Sequence, residues 1–101
     1  MIYHIVAKAY WETFAEKELY FPADYEQEGF IHCSKREQVK GSVLKHFQGI
    51  KELLLLHLDE SKITSKLIEE PSRSGKLFPH IYGGLNKDAV VKIEVIDRDK
   101  L

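Results

Sequence analysis

The sequence predicts an α+β fold: a curved, mostly antiparallel or mixed sheet carrying two main helices, formed as one domain over residues 1–101. Three observations predict it. Two stretches place apolar residues three and four apart, the period of an amphipathic helix. Several others are short apolar runs or alternations bounded by glycine, proline or polar residues, the mark of strands. Their order is strand, helix, strand, helix, strand and then strands only, which is not the regular alternation of a parallel α/β sheet.

The first strand is Ile2 to Lys8. Period two places Ile2, His4 and Val6 on one face and Tyr3, Ile5 and Ala7 on the other. Both faces are largely apolar, so a central position and a partly buried His4 are expected. Trp11, Phe14, Ala15 and Leu19 then predict an amphipathic helix of about two and a half turns, which Pro22 and Asp24 end. Tyr20, Phe21 and Tyr25 follow as aromatics expected to finish the core.

Gly29-Phe30-Ile31-His32-Cys33-Ser34 reads as a short strand running straight into a helix. Ser34 stands three residues before Glu37, the capping-box pattern. The helix turns Val39, Val43, Leu44 and Phe47 inward and ends at Gly49, with Gly41 inside it. His46 lies on its basic side and is expected in solvent. Leu53 to Leu58 is a strand buried on both faces, with His57 as a core histidine near its end.

Lys66 to Glu70 is a short extended piece before Pro71, and Arg73 to Lys76 is a loop. In Leu77 to Gly84, Pro79 argues against a central ladder position and for an edge or a structured loop. The last strand alternates cleanly, with Val91, Ile93 and Val95 on one face and Lys92 and Glu94 on the other.

Composition narrows the function. The formal net charge is −1, with no long block of like charge, so no nucleic-acid footprint is visible. No apolar run approaches the ~20 residues of a membrane span, and the first residues are too short and too polar-spaced for a signal peptide. The single cysteine forms no internal disulfide and suits a reducing, cytoplasmic setting.

Candidate chemistry rests on His4, His32 and His80, three histidines in strand-like apolar settings, with Ser34 beside His32 and Tyr82 on the parity of His80. They fit a polar cleft for a ligand's hydroxyls, a three-histidine zinc site of the kind that supports a metal-dependent hydrolase, or three separate structural residues. No tight metal-ligand spacing is present, and no metal ligands are assigned. Cys33 adjoins His32, but adjacent strand residues face opposite ways, so the two form no dyad. Glu69 and Glu70 cannot both face one cleft. Arg73 in its loop is a candidate phosphate contact.

Tyr3-His4-Ile5, Trp11, Gly29-Phe30-Ile31-His32-Cys33-Ser34 and Phe78-Pro79-His80-Ile81-Tyr82-Gly83 together resemble the domain-of-unknown-function 952 family along essentially the whole chain. That family is grouped by remote similarity with the ADP-ribosyltransferase-like fold. The resemblance implies a small-molecule ligand, NAD or an ADP-ribose derivative. It maps His4 and His32, with Ser34 beside it, onto the positions that hold the ribose and the nicotinamide end. Joined to the reading of the residues, this makes His32 and His80 the candidate catalytic residues and His4, Ser34, Tyr82, Arg73 and Glu69 the candidate ligand-binding ones. The basic groove of an RNA-processing member is missing, and no catalytic glutamate has a clear place. A non-catalytic module for a small metabolite therefore stands beside the ADP-ribosyl or glycosyl transfer that the resemblance implies.

Overall fold

The computed structural model describes all residues from Met1 to Leu101. Eight strands and three helices follow one another as β1 (Ile2–Ala7), α1 (Lys8–Glu12), β2 (Leu19–Tyr20), α2 (Tyr25–Glu28), β3 (Ile31–His32), α3 (Val39–His46), β4 (Leu53–Leu58), β5 (Lys66–Pro71), β6 (Leu77–Tyr82), β7 (Leu85–Asn86) and β8 (Val90–Val95). The fold is α+β, and every strand pairing is antiparallel. One sheet has the order β1-β4-β8, a second β3-β6-β5, and β2 pairs with β7. No helix is long and apolar enough to cross a membrane.

The two three-stranded sheets are one curved surface folded on itself. The Tyr3 N–H donates to the Ser34 carbonyl at 2.8 Å and the Ser34 N–H to the Tyr3 carbonyl at 2.7 Å, tying the edge of the first sheet to the end of β3. In the β1-β4-β8 sheet, β1 and β4 are covered on both faces, as their continuous apolar runs require, while β8 stays largely exposed. One face carries Ile2, Val6, Leu54, Leu56 and Leu58 and packs against Ile31, Cys33 and Ile81 of the second sheet, with Tyr20 and Leu85. The other carries Tyr3, Ile5, Leu53 and Leu55 and packs against Val39 and Val43 of α3.

Several expectations change in the folded chain. The first helix is α1, only Lys8–Glu12, and not a span reaching Leu19. Thr13 is the reason: its hydroxyl donates back to the Tyr10 carbonyl at 2.6 Å, competing with the helical ladder. Lys87 then collects the Phe14 carbonyl at 2.8 Å. The chain leaves the helix early enough to deliver Tyr20 into the core, while Leu19 and Phe21 stay at the surface.

The capping box is shifted by one residue. The Lys35 N–H donates to the Gln38 side chain at 2.9 Å, and the Ser34 hydroxyl instead meets the Ser42 hydroxyl at 3.0 Å under α3. Leu44 points outward, exposed. Gly41 meets no neighbouring backbone.

The strand β6 is central, not an edge, despite Pro79. The Pro79 carbonyl accepts from the Cys33 N–H at 2.9 Å. Carbonyl and nitrogen of one residue face the same neighbour in an antiparallel ladder. The missing donor is therefore turned toward β3 at the point where that strand ends, and the ladder with β5 is untouched. Beyond β6, Gly83 has φ 133°, and a Cβ there would stand 2.5 Å from the Ser65 hydroxyl, so only glycine fits.

Candidate functional site

Strand parity assembles the site. In the β5–β6 hairpin Ile68 lies opposite His80, Glu70 opposite Phe78 and Lys66 opposite Tyr82, and in the β3–β6 pair His32 lies opposite His80. Opposed residues share a face. Ile31 and Ile81 turn into the core, so the other face presents His32, Glu70, His80 and Tyr82 outward as one group.

Within this group Glu70 is the hub. Its Oε1 accepts from His80 Nδ1 at 2.8 Å and also from the Tyr82 hydroxyl. These two bonds, Tyr82's the larger, hold the Glu70 carboxyl below the usual carboxylate range, and the bond to Glu70 raises the Tyr82 phenol. A carboxylate can only accept, so Nδ1 of His80 carries a proton and its other ring nitrogen is the basic one when the ring is neutral. The Phe30 ring stacks on His80 with centroids 3.9 Å apart and planes 14° from parallel, fixing the imidazole plane.

His32 stands beside this group, its ring centroid 5.5 Å from that of His80 and 5.8 Å from that of His46, which reaches over from the end of α3. Burial, reinforced by the neighbouring His80, His46, His4 and Lys45, pushes His32 down to about 4. Its Nε2 is buried and has no hydrogen-bond partner. Leaving such an atom unpaired costs roughly 1–3 kcal/mol.

His4 is built differently. Its Nδ1–H donates to the His32 carbonyl at 2.8 Å, and its Nε2 accepts from the Tyr20 hydroxyl at 2.9 Å. The carbonyl fixes the tautomer, because it can only accept. Burial keeps His4 neutral and raises the Tyr20 phenol.

A cleft of ≈ 530 Å³ opens beside these residues. His4, His32, Ser34 and His46 line it together with the aromatic rings of Tyr10, Tyr20 and Phe30 and the carboxylates of Asp24 and Glu28. His80 and Tyr82 adjoin it through His32 and Phe30.

The sequence-predicted residues therefore divide. His32, His80 and Tyr82 come together, and His4 and Ser34 reach the cleft with their polar atoms already bonded inside the protein. Glu69 points the other way and pairs with Lys35 at 2.7 Å, so Glu70 is the carboxylate of the site. Arg73 is exposed in the tight β5–β6 turn, where Ser72 bonds Lys76. His46, expected in solvent, is exposed yet lines the cleft. The three-histidine metal site does not form: both ring nitrogens of His4 are occupied, and no three His, Cys, Asp or Glu side chains are grouped to hold an ion. Choosing Glu70 over Glu69 takes the hairpin register, in which even-numbered residues of β5 lie opposite even-numbered residues of β6. Tyr20 and Phe30 carry no sequence signal that separates them from ordinary core aromatics.

A chain with this fold and this histidine-bearing sheet face falls in a class defined by structure and not yet by reaction. It belongs to the family described as "Protein of unknown function (DUF952)", whose model matches residues 5–93. It is similar to protein CC0527 from Caulobacter crescentus, whose crystal structure is 32% identical in sequence, with 95% of this chain and 85% of that one covered and a TM-score of 0.87. A double mutant of CC0527 superposes with a TM-score of 0.86 at the same identity and coverage. Its solution NMR structure, also 32% identical, covers 97% of this chain and 87% of that one, with a TM-score of 0.79. Among curated proteins, none matches the chain.

Proposed function

We propose that the chain binds a small nucleotide-like metabolite in the His32 cleft and that His32 and His80 act on it. The ligand class is NAD or an ADP-ribose derivative, which the sequence resemblance supplies. The observation that carries the reading is that His32, whose buried Nε2 has no hydrogen-bond partner, lines the cleft. A ligand hydroxyl or amide meeting that atom recovers a hydrogen bond that folding leaves unmade. The cleft's volume lies within the range of small-ligand sites, roughly 300–1,000 Å³, and Tyr10 and Phe30 offer flat apolar surfaces for a base.

In this reading the reaction is ADP-ribosyl transfer or a related glycosidic cleavage. The bond between the ribose and nicotinamide breaks, its electron pair leaving with the nicotinamide. An acceptor oxygen bonds the ribose carbon and gives its proton to the free nitrogen of His80. Glu70 holds His80 in the tautomer that accepts it. The setting is the cytoplasm, where the buried free thiol of Cys33 meets no oxidising partner.

A second reading, a non-catalytic module for a small metabolite, has its own support: no lysine or arginine lines the cleft, whereas Asp24 and Glu28 do. That lining suits an uncharged or cationic aromatic ring better than a pyrophosphate. An NMR titration with NAD that follows the five imidazoles tests the first reading. His32, His80 and His46 should shift together and saturate while His57 stays still, and His32→Ala should abolish the response with the fold intact. Silence at saturating NAD removes the nucleotide. Saturation without nicotinamide release leaves the binding module.

A further inference from the structure

We propose that β8 pairs with β8 of a second copy of the chain, antiparallel about a two-fold axis at Ile93, extending the β1-β4-β8 sheet across a homodimer. β8 is the outer strand of that sheet. Its inner side is bonded to β4: the Ile96 N–H donates to the Leu53 carbonyl at 3.0 Å, with Glu94 opposite Leu55 and Val95 opposite Leu54. Backbone polar groups alternate sides along an antiparallel strand. Glu94 and Ile96 therefore face β4, and Ile93 and Val95 direct their N–H and carbonyl groups outward.

The side chains on that edge are unguarded. Ile93 is 49% exposed and Val95 71% exposed. The other free edge of the folded surface, β5, carries Lys66, Glu69 and Glu70 and ends in Pro71, the usual devices against edge pairing. β8 has no proline, and its only charges are Lys92 and Glu94.

Those two charges select the register. With the axis at Ile93, the two Ile93 residues exchange backbone hydrogen bonds, Val91 lies opposite Val95 of the second copy, and Lys92 lies opposite Glu94 of the second copy twice over. Moving the axis one residue toward the N-terminus opposes Lys92 with Lys92, and one residue toward the C-terminus opposes Glu94 with Glu94. Like charges directly opposite are destabilising, and opposite charges favourable. The Ile93 register alone combines outward-facing backbone groups with paired charges, and it is isologous as a closed dimer requires. The β-bulge, where Leu58 meets Val90 and His57 meets Lys92, lies at the N-terminal end of the pairing and leaves Ile93 to Val95 regular. Glu94 already accepts from His57 Nε2 at 2.8 Å through Oε1, which leaves Oε2 for the lysine.

A charge-exchange experiment decides it. Sedimentation equilibrium of the whole chain should show a monomer–dimer equilibrium over roughly 10 μM to 1 mM, the weak range expected of a small interface. Exchange of the Ile93 amide should slow as concentration rises. Lys92→Glu and Glu94→Lys should each weaken self-association about tenfold by opposing like charges. An equimolar mixture of the two variants should associate again, because each supplies the charges the other needs. Lys92 makes no ion pair within the chain. If Glu94→Lys fails to fold, Lys92→Glu alone decides, loss of the dimer supporting the proposal. A wild-type chain that stays monomeric through the whole range, or a dimer that both variants retain, overturns it.

Discussion

His4 and His32 are both histidines on strands, and one hydrogen bond joins them, yet the fold treats them in opposite ways. His4 has a partner on each ring nitrogen, the His32 carbonyl and the Tyr20 hydroxyl. It is the hinge pin between the two halves of the curved sheet. His32 gives its backbone to that bond and leaves its own Nε2 buried with nothing to bond. Burial costs both rings their charge, but only one is compensated. A saturated polar group stabilises a fold, and an unsaturated one lowers stability unless a ligand completes it. Under the proposed function, that difference makes His32 the residue for binding, while His4 holds the wall of the cleft in place.

The largest effect should follow from breaking the saturated side. His4→Ala strands the Tyr20 hydroxyl and the His32 carbonyl and leaves a cavity, and should lower the free energy of unfolding by about 3 kcal/mol, read from urea denaturation. Tyr20→Phe sharpens the comparison. It removes one His4 bond while keeping the ring against Trp11 and Phe14, so a loss of about 1–2 kcal/mol is expected. Equal losses for the two variants would mean that the Tyr20–His4 hydrogen bond alone, and not the ring packing of His4 or its bond to the His32 carbonyl, joins the sheets.

The contrast between these histidines was only half legible in the sequence. Parity and apolar runs place β1, β4 and β8, and parity also sets Phe30 with His32 and His80 with Tyr82. What period-two reasoning cannot supply is the third dimension. Tyr20 finds His4 across 16 residues only because Thr13 cuts α1 short and the chain turns inward. The choice between Glu69 and Glu70 needed the hairpin register, and that in turn needed Pro79 accepted inside a central strand. The proline rule fails there because β3 is only Ile31–His32 and ends where the missing donor would point. Alternation in β8 was read directly, but alternation does not say whether the apolar face is covered, and here it is not.

Acid should unmask the penalty at His32. Its folded value of about 4 lies below 6.5, so between the two the unfolded chain binds more protons and stability rises with pH. The contribution is whole above pH 6.5 and is lost as pH falls toward 4. His4, also lowered by burial, adds in the same direction. His32→Phe separates the two. It keeps a flat ring beside Phe78 and His80, removes the orphan nitrogen and removes the titration. Stability at pH 7.5 should change by no more than about 1 kcal/mol, in either direction, the smallest effect of the set. The dependence on pH below 6.5 should flatten, and ligand binding should vanish. A variant that loses several kcal/mol at neutral pH would show that His32 is a core residue like His4, and the distinction between a structural and a ligand-binding histidine would collapse.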